Sequence, residues 1–164
     1  MNSQVIMGSE VKSASFKLDS ASSREELAMY FNSLKAPKTG VLKGAHVGKL
    51  YAVEGIRFLP WFLRSPIHKV LQSNVSPWKG KFFDAKKGGN MVLSSTGETK
   101  FGFYTIFKGE AYDGSGEVIL LDYDVPENPV VMWNICGELR EISKGYYLAR
   151  MLYRTEKMTA TVLY

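Results

Sequence analysis

The sequence predicts a mainly β domain, a single antiparallel up-and-down β-barrel, and three observations predict it. From Lys81 onward apolar residues recur with a period of two, and turn signals interrupt the pattern at fairly regular intervals. Helix signals are confined to the first half of the chain. The 164 residues suit one domain, and they include nine Phe, nine Tyr and three Trp, rings that either fill a wide interior or line an apolar pocket. Antiparallel meanders of this size commonly close on themselves, which removes their unpaired edges.

Taken in order, residues 1–22 are polar, with serines scattered through them and little periodicity. They read as a flexible arm ahead of a domain spanning 23–164, with an edge strand through Val11, Phe16 and Leu18 as the alternative. Ser23-Arg24-Glu25-Glu26 is a capping box, in which the serine accepts from the backbone at Glu26 and that glutamate returns the bond. Leu27, Tyr30, Phe31 and Leu34 then fall on one helical face, and Ala36-Pro37-Lys38-Thr39-Gly40 ends the helix. Val41 to Ala52 reads as the first strand, bent at Gly44 and Gly48 as at a barrel corner, with His46 between the bends.

Ile56 to Leu71 is rich in apolar residues but broken by Pro60 and Pro66, each of which disfavours helix in its predecessor and lacks an amide donor. Short helical turns follow from that pattern. Its crowd of large side chains, Trp61 among them, reads either as a lid over a cavity mouth or as packing on the outside of the barrel.

Trp78-Lys79-Gly80-Lys81-Phe82-Phe83 opens the strand region, and Trp78 is expected near a barrel rim. Gly88-Gly89-Asn90 precedes the short strand Met91-Val92-Leu93, and Phe101 to Phe107 forms the next, extending toward Tyr112. Asp113-Gly114-Ser115-Gly116 is a hairpin turn. Glu117 to Tyr123, Val130 to Ile142, Tyr146 to Arg154 and Met158 to Tyr164 complete about seven or eight strands. The last strand either pairs with the first to close the barrel or is cut short at Tyr164.

Composition narrows the function. One cysteine, Cys136, and two histidines offer no clustered zinc site and no internal disulfide. The net charge of +5 is interleaved with acidic residues, unlike the one-sided basic stripe of a nucleic-acid binder, so an anionic small ligand is the simpler inference. There is no secretory signal and no run of roughly 18 apolar residues, which implies a cytoplasmic protein without a membrane span. No phosphate loop, nucleophile elbow or dinucleotide fingerprint is present, and no cofactor is implied. The oligomeric state is left open, a homodimer included.

Gly40-Val41-Leu42-Lys43-Gly44 after a short helix, Trp78-Lys79-Gly80-Lys81-Phe82 further along, and the late strands holding Glu138-Leu139-Arg140 and Tyr147-Leu148-Ala149-Arg150-Met151 resemble the GXWXG-type domain proteins. These are small barrels related to the lipocalin and fatty-acid-binding, or calycin, group. Leu42 stands where that family's name-giving tryptophan would be. The resemblance, over residues 25–164, implies a calycin-like barrel with an interior cavity and brings no established reaction.

The two late strands frame the functional question. Trp133, Ile135 and Leu139 share one face of theirs; Met132, Asn134, Cys136, Glu138 and Arg140 share the other, and Arg150 has the corresponding choice in the next strand. With Trp133 and Leu139 inward, the charges form a solvated outer surface and the cavity is almost wholly apolar. With the other face inward, Arg140, Arg150 and Glu138 sit in a low-dielectric lumen, where an arginine fork would seat a carboxylate. Trp61, Trp78, Phe103, Tyr104, Trp133, Arg140, Tyr147 and Arg150 are accordingly the ligand-binding candidates, for a small hydrophobic or amphipathic molecule carried or sensed in the barrel. The alternative is a cofactor-independent isomerase or cyclase acting on a polyketide- or terpenoid-like substrate. There His46, Tyr123 and Asp122 would move the proton, against the plainer readings of a half-buried histidine, a core tyrosine and a solvated carboxylate.

Overall fold

The computed structural model describes residues 23–38, 40–48, 77–95, 97–155 and 159–163. The N-terminal arm, the Ile56 to Leu71 lid and Trp61 lie outside the described residues.

Among the described residues one helix, α1 (Arg24–Ser33), precedes eight strands: β1 (Gly44–Val47), β2 (Trp78–Asp84), β3 (Lys87–Ser94), β4 (Gly97–Glu110), β5 (Glu117–Asp122), β6 (Ile135–Ser143), β7 (Tyr146–Arg154) and β8 (Thr159–Leu163). The capping box forms as the sequence implies. Glu26 N donates to Ser23 Oγ over 3.2 Å, and Ser23 N donates to Glu26 Oε2 over 2.8 Å. The strands make one sheet in strict chain order, every neighbouring pair antiparallel, so the up-and-down meander is present. Among the described residues β1 pairs with β2 alone and β8 with β7 alone, which makes a curled sheet rather than a closed ring of hydrogen bonds.

A ring contact shows the curl. His46 on β1 meets Tyr147 on β7 edge to face, with centroids 5.4 Å apart, although five strands separate them in the sheet. In a flat sheet those two strands would lie about 29 Å apart at the usual inter-strand spacing. The face bearing His46 and Tyr147 is therefore concave. On it Leu42, Phe83, Tyr104, Ile119, Leu121, Tyr123 and Leu139 form a buried cluster. The convex face carries a second cluster, in which Leu27 and Phe31 of α1 cover Val118, Leu148 and Ala111. Beyond the helix the Lys35–Glu141 bridge ties the chain to β6, and Leu42 then joins the concave cluster.

Three expectations are corrected. The first strand covers only Gly44–Val47 of its described part, because Val41 to Lys43 run outside any ladder. Gly88-Gly89-Asn90 lies within β3 rather than ahead of it, and the chain reverses instead at Ala85-Lys86, where Ala85 takes a φ of 48°. Val130–Met132 forms a single 3-10 turn, so β6 begins only at Ile135 and Trp133 stands in the connection. The preceding Pro126 and Pro129 already interrupt the ladder by lacking amide donors. No helix among the described residues is long and apolar enough to cross a membrane.

Candidate functional site

The polar groups of the concave face converge where β2, β3 and the end of β5 approach one another. Lys81 and Phe83 share that face by simple alternation along β2. Trp78, three residues before Lys81, would point the other way in a regular strand. A register shift between Trp78 and Gly80 inserts one extra residue and returns the indole to the side of Lys81. Gly80 permits this with a φ of 143°, and a Cβ there would stand 2.0 Å from the His46 carbonyl oxygen. A second bulge, at Gly102 of β4 with a φ of 63°, aims the Gly102 carbonyl at Asn90.

The resulting network is tight. Lys81 Nζ donates to Tyr123 Oη over 2.6 Å and to Asn90 Oδ1 over 2.9 Å. Trp78 Nε1 donates to the same Asn90 oxygen over 3.1 Å. Asn90 Nδ2 donates to the Gly102 carbonyl over 3.2 Å and to Tyr123 Oη over 3.3 Å. The ammonium also lies 5.0 Å from the centroid of the Tyr104 ring, within cation–π range, while it meets Tyr123 at the hydroxyl. No carboxylate among the described residues pairs with Lys81. Tyr104 itself is buried and donates to the Phe82 and Gly89 carbonyls over 3.1 and 3.3 Å. Burial, reinforced by Tyr123 beside it, pushes its phenol well above the ordinary tyrosine range.

Toward β6 and β7 the concave surface is apolar. Ile106, Met132, Ile135, Tyr147, Ala149 and Met151 pack against the buried cluster while remaining partly exposed.

The arginine fork sits on the other face. Arg140, Arg150 and Glu138 are buried beneath α1 on the convex side, so neither alternative for the late strands holds as framed: the Leu139 face is concave, but the opposite charges are not solvated. The helix excludes water from them. Arg150 Nε donates to Glu138 Oε2 over 2.5 Å and Arg150 Nη1 to Asp113 Oδ2 over 2.8 Å. Tyr112 N donates to the remaining Glu138 oxygen over 2.7 Å. Arg140 donates to the Phe31 carbonyl over 3.0 Å and to Ser115 O and Oγ over 2.9 and 3.1 Å. Both guanidiniums stack on the Phe31 ring, at 4.9 and 4.5 Å. Burial alone would lower the Arg150 pKa, but Asp113 and Glu138 outweigh it and hold the group above its ordinary value. The Arg150 hydrogen bond in turn keeps the Asp113 carboxyl well below the usual carboxylate range.

The remaining sequence candidates scatter. His46 is half-buried on the concave face, edge-on to Phe83 and Tyr147, with Nε2 3.2 Å from the Lys43 carbonyl. Asp122 points to the convex face, opposite Tyr123, and pairs with Arg154 over 2.8 Å. The three proposed acid–base residues are thus not assembled into one unit. Phe103 packs on Phe82, away from the concave cluster, and Trp133 is 38% exposed with its indole donating to the Asn128 carbonyl. Lys81 and Asn90 were not among the candidates. The signal for Lys81 was its period-two relation to Phe83; nothing in the sequence marked Asn90. Among the described residues no group of three or more His, Cys, Asp or Glu side chains could hold a metal ion.

No family model, curated protein or solved structure matches the chain.

Proposed function

We propose that the protein binds a small hydrophobic molecule against the concave face of its sheet, as a carrier or sensor. The observation that carries this reading is the row of partly exposed apolar side chains there, Ile106, Ile135, Tyr147, Ala149 and Met151 among them. A concave apolar surface beside a few fixed polar groups is the usual form of a small-molecule site. The reading includes closure of the curled sheet into a calycin-like barrel, as the resemblance to the GXWXG-type domain proteins implies. The ligand then lies inside, with Trp78, Lys81 and Asn90 at one end.

Native mass spectrometry of the freshly purified protein tests it, together with titration of an uncharged dansyl-labelled alkyl ester. The expected result is saturable binding of the ester, weakened at least 10-fold by Ala149→Phe, which fills the apolar row while the circular dichroism spectrum stays unchanged. Ester binding indifferent to Ala149→Phe, or no binding at all, would overturn the assignment.

A further inference from the structure

Among the described residues the donors and acceptors at the polar end of the concave face do not balance, and the imbalance specifies a ligand chemistry. An ammonium carries three donors. Two of those of Lys81 are spent on Tyr123 Oη and Asn90 Oδ1. The phenol oxygen of Tyr123 accepts twice, from Lys81 and from Asn90 Nδ2, which engages its acceptor capacity and leaves its own hydrogen to be donated. The Asn90 amide cannot be turned round to relieve this, because its oxygen already accepts from the indole of Trp78 and from Lys81 while its nitrogen faces the Gly102 carbonyl. Among the described residues no acceptor meets the third Lys81 hydrogen or the Tyr123 hydroxyl hydrogen.

Among the described residues two unmet donors therefore stand on atoms 2.6 Å apart, and one of them bears a positive charge with no carboxylate partner there. A partly buried cation of this kind gains most from a counter-ion that is itself withdrawn from water. One charge calls for a monoanion, and two adjacent donors match the two oxygens of a carboxylate. A phosphate dianion would leave a negative charge and further oxygens unmatched on a surface that turns apolar toward Phe83 and Tyr104.

The geometry points to an anion subsite formed by Lys81 Nζ and Tyr123 Oη, which takes the carboxylate head of an otherwise hydrophobic acid whose body lies along the apolar row. This rests on the concave-face reading above and names the ligand class within it. Asn90 and Trp78 are positioning residues: they fix the ammonium and the phenol and leave the reaching donors free.

Titration of the full chain with a dansyl-labelled long-chain carboxylic acid and with its methyl ester tests the subsite, because the pair differs only in the head group. The wild-type protein is expected to bind the acid roughly 10- to 100-fold more tightly than the ester, the range of a charge-assisted pair. Lys81→Met should bring that ratio close to one while leaving the ester affinity in place, and Tyr123→Phe should reduce it roughly 3- to 10-fold. Equal binding of acid and ester by the wild-type chain, or a preference that survives Lys81→Met, overturns the subsite and leaves the apolar site standing. Failure to bind either probe overturns both. If Lys81→Met does not fold, the wild-type ratio and Tyr123→Phe still decide.

Discussion

The two faces of the same sheet handle buried charge in opposite ways. On the convex side Arg150 pairs with both Glu138 and Asp113 while Arg140 donates to the Phe31 carbonyl and to Ser115, and α1 covers Arg140, Arg150 and Glu138 with Phe31 stacked against both guanidiniums. Arg140 Nε is the only buried side-chain polar atom among the described residues left without a partner. On the concave side one ammonium lies against the Tyr104 ring and the Tyr123 hydroxyl with no carboxylate partner among the described residues. Charge that is balanced and covered holds a fold together, whereas charge that is ordered but unbalanced is available to a ligand. The comparison assigns the arginines to architecture and Lys81 to binding, the reverse of what residue type alone suggests.

The largest expected effect separates those roles directly. Arg150→Met leaves Glu138, which is fully buried, without its charge partner, and should cost about 3–5 kcal/mol in urea unfolding. Lys81→Met strands no carboxylate among the described residues and should change stability by less than about 1 kcal/mol, its effect appearing in acid binding instead. Similar losses in the two variants would erase the distinction between the faces. Glu138→Leu combined with Arg150→Met should recover part of the single-variant loss, since no buried charge is then left unpaired, although the Tyr112 amide loses its acceptor and the part-exposed Asp113 its partner.

A smaller effect concerns pH. The Arg150 hydrogen bond lowers the folded-state pKa of Asp113 below its unfolded value. The stability this carboxylate contributes is therefore fully present above the unfolded value near ~3.9 and is lost as the pH falls below it. Because the Asp113 side chain is 42% exposed, solvent screens part of the contribution. Asp113→Asn should be less stable than wild type near neutrality, with the gap narrowing once the pH drops below about 4. A gap of constant size across that range would show that the pair contributes nothing through ionisation.

Local rules were legible in the sequence, and long-range ones were not. The capping box at Ser23 and Glu26, the strand Tyr146–Arg154 and the Asp113 to Gly116 turn each depend on residues within a few positions of one another, so pattern alone locates them. The two bulges escape such reading, because the shift at Gly80 is defined by the partners on β1 and β3, and the one at Gly102 by Asn90. Without the first, Trp78 and Lys81 fall on opposite faces and the polar cluster cannot be drawn. The burial of Arg140 and Arg150 was hidden for a related reason: alternation divides residues between two faces but does not say which face a helix from elsewhere in the chain will cover.

Burial elsewhere on the convex face predicts the smallest effect. Cys136 shares the convex face with Glu138, is 1% exposed, and burial pushes its thiol up to about 11. Thiolate is the reactive form, so near pH 8 both access and ionisation oppose modification. Ellman's reagent should leave Cys136 unmodified in the native protein and titrate it fully in denaturant. Ser23→Ala, which removes the cap of α1 at a cost of about 1 kcal/mol, should raise the native labelling rate only modestly, since the packing of Leu27 and Phe31 remains. Rapid labelling of the unaltered protein would mean that the convex face opens far more readily than its closed ion network implies, and the contrast between a sealed face and a receptive one would fail at its sealed side.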